Sequence, residues 1–295
     1  MDFHNCTLCP RECGADRTVM PGACGGKDRL RIARAALHFG EEPCITGERG
    51  SGTVFFSGCA LRCRFCQNQS ISQGEVGKDI SQTRLSEIFL ELQDQGAENI
   101  NLVTPSHFAP LVAASLRSIK NDLQIPVVCN CGGYESEEIL HCFEGLVDVY
   151  LPDLKYFSSD RSFRYSDVEN YFEVASRALK RMYGQTGDCI FSERGILQKG
   201  LLIRHLVLPN GKADSIALLR WISQEFPLSS VRISLMRQYT PCGDLSPCPE
   251  LNRRLFSLEY SAVLREATKL RLVGYSQGRD CDNFSMTPDF DLSGV

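Results

Sequence analysis

The sequence predicts an α/β protein built on a parallel sheet. Two observations carry this: short runs rich in Val, Ile and Leu recur along the chain, and segments with helical apolar period stand between them. A strand that is apolar on every residue is one covered on both faces, as in parallel sheets packed between helices or closed into a full or partial barrel. The strand-like runs are Thr53 to Ser57, Asn99 to Val103, Val127 to Cys129, Val147 to Leu151, Leu201 to Val207 and Val231 to Leu235. Together they predict about six parallel strands.

Between the first two runs, Leu85, Ile88, Phe89 and Leu92 fall at i, i+3, i+4 and i+7, one face of a helix, and Gly96 stands where a helix-ending glycine belongs. A last helix is expected around Leu255 to Leu270, followed by a polar tail, Gly274 to Val295. The chain thus divides into a Cys-rich N-terminal lobe (1–48), a core (49–273) and a C-terminal tail (274–295). In a barrel of this kind the chemistry belongs at the C-terminal ends of the strands.

With 295 residues, 43% of them hydrophobic and 23% charged, the chain is that of one folded domain with a sizeable core. No run approaches the roughly 18 apolar residues of a membrane span, and the N-terminus is polar, so a cytoplasmic protein is expected. A net charge of −4 argues against nucleic acid as a partner. The 15 cysteines are far too many for an ordinary reduced interior, and without an export signal they favour metal or redox chemistry over disulfides.

Cys59, Cys63 and Cys66 lie within eight residues directly after the first strand. A [4Fe-4S] cubane normally takes four thiolates, so a loop of three leaves one iron open to a substrate, although a zinc site with one outside ligand has the same spacing. Cys6, Cys9, Cys13 and Cys24, among Pro10, Gly14, Pro21, Gly22, Gly25 and Gly26, supply a closed set of four thiols for either zinc or a second [4Fe-4S] cluster. If both groups held only zinc, the chain would be an interaction module and not an enzyme. Cys129, Cys131, Cys142 and Cys189 read as core or near-core thiols, and Cys242 and Cys248, six apart in a Pro-rich loop, as structurally indifferent in preference to further ligands or redox thiols.

The C-x3-C-x2-C spacing, with Phe65 just before the third cysteine, resembles the signature of the radical S-adenosylmethionine (radical SAM) superfamily. Gln67-Asn68, the Leu151-Pro152-Asp153-Leu154-Lys155 segment and the run from Ile203-Arg204-His205 to Pro209-Asn210 resemble the pyruvate formate-lyase activating enzymes, and the overall pattern is most similar to their PflX-like relatives. The resemblance implies a partial (β/α)6 TIM-like barrel with S-adenosylmethionine bound across its strand ends. It implies that Cys59, Cys63 and Cys66 hold the catalytic cluster and that Phe65, Asn130, Gly132, Asp153, Lys155 and Arg204 contact the cofactor, to which the hydroxyl of Thr104, at a position where the chain departs from the family, is added as a further expected contact. The implied reaction is reductive cleavage of S-adenosylmethionine to methionine and a 5′-deoxyadenosyl radical. That radical takes a hydrogen atom from a glycine of a glycyl radical enzyme, or from a peptide or small metabolite. A low-potential donor such as flavodoxin or ferredoxin would supply the electron.

The chain departs from that family where Gly-Gly-Glu is usual after the second strand: it reads Thr104-Pro105-Ser106, which offers hydroxyls and no carboxylate. Arg204 sits inside an apolar run and needs an anionic partner. His107 and His205 are left out of the site, because hydrogen-atom abstraction needs no acid or base in its central step.

Overall fold

The computed structural model describes residues 3–278, 281 and 287–295. Its strands are β1 (Leu30–His38), β2 (Ser51–Phe56), β3 (Lys78–Ile80), β4 (Ile100–Val103), β5 (Val127–Cys131), β6 (Val149–Pro152), β7 (Ile190–Phe191), β8 (Leu197–Leu206), β9 (Arg232–Met236) and β10 (Gly274–Ser276). They form one sheet in the order β10-β9-β8-β6-β5-β4-β2-β1-β3, with β7 paired to β8. From β2 to β10 every neighbour on this path is parallel, whereas β1 runs antiparallel to β2, and β3 to β1. The path does not close on itself among the described residues, so the barrel is partial.

All six expected strands are present. The parallel set has a seventh member, the short β10, and the antiparallel β1, β3 and β7 were not expected. β1 places residues 30–38 of the Cys-rich lobe at the heart of the sheet's edge, and β10 does the same for the first residues of the tail. Of that tail, residues 279–280 and 282–286 lie outside the described residues.

β2, β4, β5 and β6 are buried along their whole length, as their apolar composition requires. Helices cover the outer face. The helix Gln82–Asp94 is capped by Ser81, whose hydroxyl accepts the Arg84 N–H at 3.0 Å, and it turns Leu85, Ile88, Phe89 and Leu92 inward. All four are at most 2% exposed, and each such side chain contributes about 1.5–3 kcal/mol on burial. Gly96, at φ +87°, ends this element in a conformation that disfavours any side chain. The last helix, Ser257–Lys269, is fixed by Glu259, which reaches back to the Phe256 N–H.

At the end of the barrel away from the cysteine loop, the buried Glu98 carboxylate accepts paired bonds from Arg49 (3.0 and 2.7 Å) and Arg194 (3.0 and 2.7 Å). This ties the turn before β2 to the β7–β8 hairpin. Among the described residues no helix is long and apolar enough to cross a membrane.

Candidate active site

The cysteine loop leaves β2 through Gly58, whose φ of +97° and crowded surroundings admit no side chain: a Cβ there would stand 2.6 Å from the Cys24 carbonyl oxygen. The loop is then pinned from several sides. Gly58 N–H donates to Ile71 O (2.7 Å), Arg11 Nε to Ala60 O (2.8 Å), and Arg64 N–H to Tyr165 O (2.9 Å). Ser166 Oγ donates to Cys63 Sγ at 3.0 Å and is itself paired with the Tyr156 hydroxyl at 2.7 Å. Burial lifts the Cys59 and Cys66 thiols above their usual range, so a metal that binds them must displace protons.

The loop faces two adjoining cavities at the strand ends. The smaller, about 130 Å3, is lined by Cys59, Cys63 and Cys66 on one side and by Thr104, Asn130, Gly132, Asp153, Lys155 and Arg204 on the other. The larger, about 220 Å3, shares Cys63 and Cys66 and adds Phe65, Glu41 and an apolar wall that includes Phe55, Leu206, Leu208 and Met236. Phe65 is held edge-on to Tyr239, with ring centroids 5.8 Å apart. All of the expected core residues therefore converge on one space. The front cysteines Cys6, Cys9 and Cys13 do not line it, and Cys24 lies on the outer side of the loop, in a separate cavity with Cys59 and Cys63.

The far wall is a charged network. Arg204 donates to Asp153 Oδ1 (2.9 Å), Asn130 Oδ1 (2.6 Å) and Glu41 Oε2 (3.2 Å), while Lys155 Nζ bonds Asp153 Oδ2 at 2.6 Å. Burial works against the Asp153 charge, yet Arg204 and Lys155 overcome it and hold the carboxyl below its usual range. Burial likewise opposes charge on Lys155, and Asp153 reverses that, raising the amine. Tyr171 fixes the backbone beneath: its hydroxyl accepts the Lys155 N–H (2.9 Å) and lies 2.6 Å from Asp153 O and 2.8 Å from Gly132 O.

Glu41 was not anticipated from the sequence. It follows β1, rises into the barrel, and accepts from Asn101 (3.0 Å) and Asn130 (3.2 Å) as well as Arg204; burial raises its carboxyl. Glu135 was also missed. It backs the Thr104-Pro105-Ser106 turn by accepting from Ser106 Oγ at 2.9 Å, and burial pushes its carboxyl up to about 7. Thr104 itself has φ +59°, a left-handed backbone that a β-branched residue adopts only under constraint. His107 and His205 are structural pins: His107 Nε2 bonds Ser57 O (2.8 Å), and His205 bridges Leu154 O (2.7 Å) and Ser215 Oγ (2.8 Å).

The residues fit a cluster with a bound small molecule. Three thiols from one loop border a cavity whose opposite wall carries both cationic and anionic side chains, and Gly132 keeps that wall open, since a Cβ there would press to 2.9 Å from Leu61. The family profile of the 4Fe-4S single cluster domain matches residues 45–166, which include this loop. The fold is also that of solved radical SAM structures. SuiB of Streptococcus suis bound to S-adenosylmethionine matches with TM-score 0.50 and 14% identity over 75% of this chain and 48% of SuiB. Methylornithine synthase (PylB) matches at 0.50 and 14% over 80% and 68%, and a spore photoproduct lyase variant at 0.50 and 9% over 75% and 74%. The chain thus spans about half the length of SuiB. Fold and profile define a [4Fe-4S] protein built on the radical SAM partial barrel.

Over 279 residues the chain is 31% identical to the uncharacterized protein MJ0674 of Methanocaldococcus jannaschii, covering 92% of this chain and 76% of that protein. The chain belongs to the family of that archaeal protein.

Proposed function

We propose that this chain is a radical SAM enzyme that acts on a residue within a polypeptide. The observation that carries the first half is the cavity in which Cys59, Cys63 and Cys66 face Asp153, Lys155, Arg204 and Asn130 across the parallel strand ends. Cys59, Cys63 and Cys66 would hold a [4Fe-4S] cluster there, which would pass on the single electron for reductive cleavage of S-adenosylmethionine. The chain's own residues orient and enclose: Lys155 and Arg204 present cationic groups toward a carboxylate, Asp153 and Glu41 fix those cations, and Phe65 with Tyr239 offers an aromatic wall for a base.

The polypeptide half rests on how the mouth of the larger cavity is built. The described residues 287–295 pass beside β1 beyond its short pairing with β3 as a bend and turn, Leu292 at φ +64°, with Leu292 N–H donating to Ala33 O (3.1 Å) and Ala35 N–H to Ser293 O (2.8 Å), and Thr287 and Pro288 line the cavity. A stretch of polypeptide main chain therefore already reaches this space. The substrate residue is a glycine of a glycyl radical enzyme or a residue of a modified peptide. Flavodoxin or ferredoxin is the expected class of electron donor.

The experiment is anaerobic reconstitution, dithionite reduction and assay of 5′-deoxyadenosine and methionine, beside a Cys59→Ala, Cys63→Ala, Cys66→Ala variant. Production of both by the wild type alone supports the enzyme reading; an iron-loaded wild type that makes neither refutes it. A glycyl radical seen by electron paramagnetic resonance in a co-incubated partner selects the activase version. Turnover that needs only a small metabolite overturns the polypeptide half.

A further inference from the structure

Cys6, Cys9, Cys13 and Cys24 stand outside the cavity, yet the backbone brings them together. Cys6 N–H donates to Ala15 O (3.1 Å) and Gly14 N–H to Cys6 O (3.0 Å), which folds Cys13 back beside Cys6, and Glu12 N–H closes a turn onto Cys9 O (2.9 Å). The loop carrying Cys24 is closed by Gly22 N–H to Gly26 O (3.0 Å) and lies against the other segment: a Cβ on Gly22 would stand 3.5 Å from Cys13 Sγ. Cys9 and Cys24 each lie within electrostatic range of the other three thiols.

Polar donors approach two of the sulfurs. Arg17, only 1% exposed, donates to the carbonyl oxygens of Gly26 (3.1 Å), Lys27 (2.6 Å) and His107 (2.8 Å) and also places Nη1 3.8 Å from Cys6 Sγ, and Gly26 N–H donates to Cys24 Sγ at 3.4 Å. A guanidinium held at this range offsets the negative charge that a metal–thiolate centre carries.

A single zinc and a [4Fe-4S] cubane both take four thiolates. These four thiols adjoin the loop of Cys59, Cys63 and Cys66, which lies in the matched [4Fe-4S] region, and that adjacency favours a cluster. We propose that Cys6, Cys9, Cys13 and Cys24 ligate a second [4Fe-4S] cluster, closed to substrate. It adjoins the first, because Cys59 N–H donates directly to Cys24 O at 2.9 Å.

The proposal takes the core cluster as read above, and the test separates the two. The full chain is reconstituted anaerobically and assayed for iron, sulfide and zinc as wild type, as Cys6→Ser, Cys9→Ser and as Cys59→Ala, Cys63→Ala, Cys66→Ala. Two cubanes predict about eight iron in the wild type, about four in each variant and no stoichiometric zinc. The reduced wild type should also show magnetic coupling between clusters that both variants lose. The proposal is overturned by about four iron with about one zinc, or by about four iron alone, in the wild type. It is overturned equally by an iron-free core variant with native circular dichroism, a result that holds even if the front variant fails to fold. Failure of the core reading has the opposite signature: iron kept by the core variant and absent from the front variant.

Discussion

Replacing Arg204 by Met tests whether the charged wall of the site is held as the structure shows. Arg204 is the cation that serves Glu41, at 3.2 Å, whereas Asp153 keeps Lys155 at 2.6 Å when Arg204 is removed. The side chains of Arg204 and Glu41 are 14% and 9% exposed, so the loss strands a carboxylate largely cut off from water. Breaking such a pair costs about 3–5 kcal/mol. At about 2 °C per kcal/mol for a chain of this size, the unfolding midpoint should fall by roughly 6–10 °C. Burial already raises the Glu41 carboxyl, and without Arg204 it rises further. A raised carboxyl takes up a proton in the folded state that the unfolded chain has released, so stability falls as pH rises toward the folded pKa. The Arg204→Met deficit is therefore smaller near pH 5 than at pH 8. Adding Glu41→Gln should restore about half of the loss, because the amide needs no cation. Thermal melts followed by circular dichroism on anaerobically prepared protein read all of this. A single-variant shift under about 2 °C, or a double variant with the full sum of the two losses, would refute the reasoning.

Other consequences are as direct. Thr104→Gly removes the left-handed strain at φ +59° and should stabilise the protein by about 1 kcal/mol, whereas Thr104→Ala, which keeps a Cβ, should not; equal effects in urea melts would contradict this. Glu135 is buried with its carboxyl raised to about 7, so it makes the fold less stable as pH climbs from about 4.5 to 7, by about 3 kcal/mol in all; Glu135→Gln should flatten that slope, and an unchanged slope would count against it. Ser166→Ala deletes the hydroxyl that donates to Cys63 Sγ at 3.0 Å and should move the cluster potential to a more negative value, which a redox titration reads directly; no movement would mean that the bond does not form in the loaded protein.

What could be read from the sequence follows from how each element is buried. β4, β5 and β6 are covered on both faces and carry near-continuous apolar runs, broken only by Asn101 and Asn130, so they were legible. β1, Leu-Arg-Ile-Ala-Arg-Ala-Ala-Leu-His, is composed largely of good helix formers, and only its pairing with β2 and β3 makes it a strand. Missing β1 hid Glu41, because the Gly40-Glu41-Glu42 loop enters the barrel only when β1 lies antiparallel beside β2. Glu135 was hidden for a related reason: it is one of three acids close together after β5, and its link to Ser106 spans 29 residues. β10 is too short to announce itself, and the positive φ of Thr104 has no sequence signal, since it is imposed on a β-branched residue by its neighbours. The cysteine loop was legible because three thiols within eight residues leave few other uses.

The central claim is that the Cys59, Cys63 and Cys66 cluster keeps one iron open for S-adenosylmethionine. Its most direct test is electron paramagnetic resonance of the dithionite-reduced protein with and without S-adenosylmethionine carrying 15N in its amino group, read for hyperfine coupling. The account predicts a changed cluster spectrum and a direct 15N coupling in the wild type, both lost in the Cys59→Ala, Cys63→Ala, Cys66→Ala variant. A reduced wild-type cluster whose spectrum ignores the added S-adenosylmethionine would contradict it.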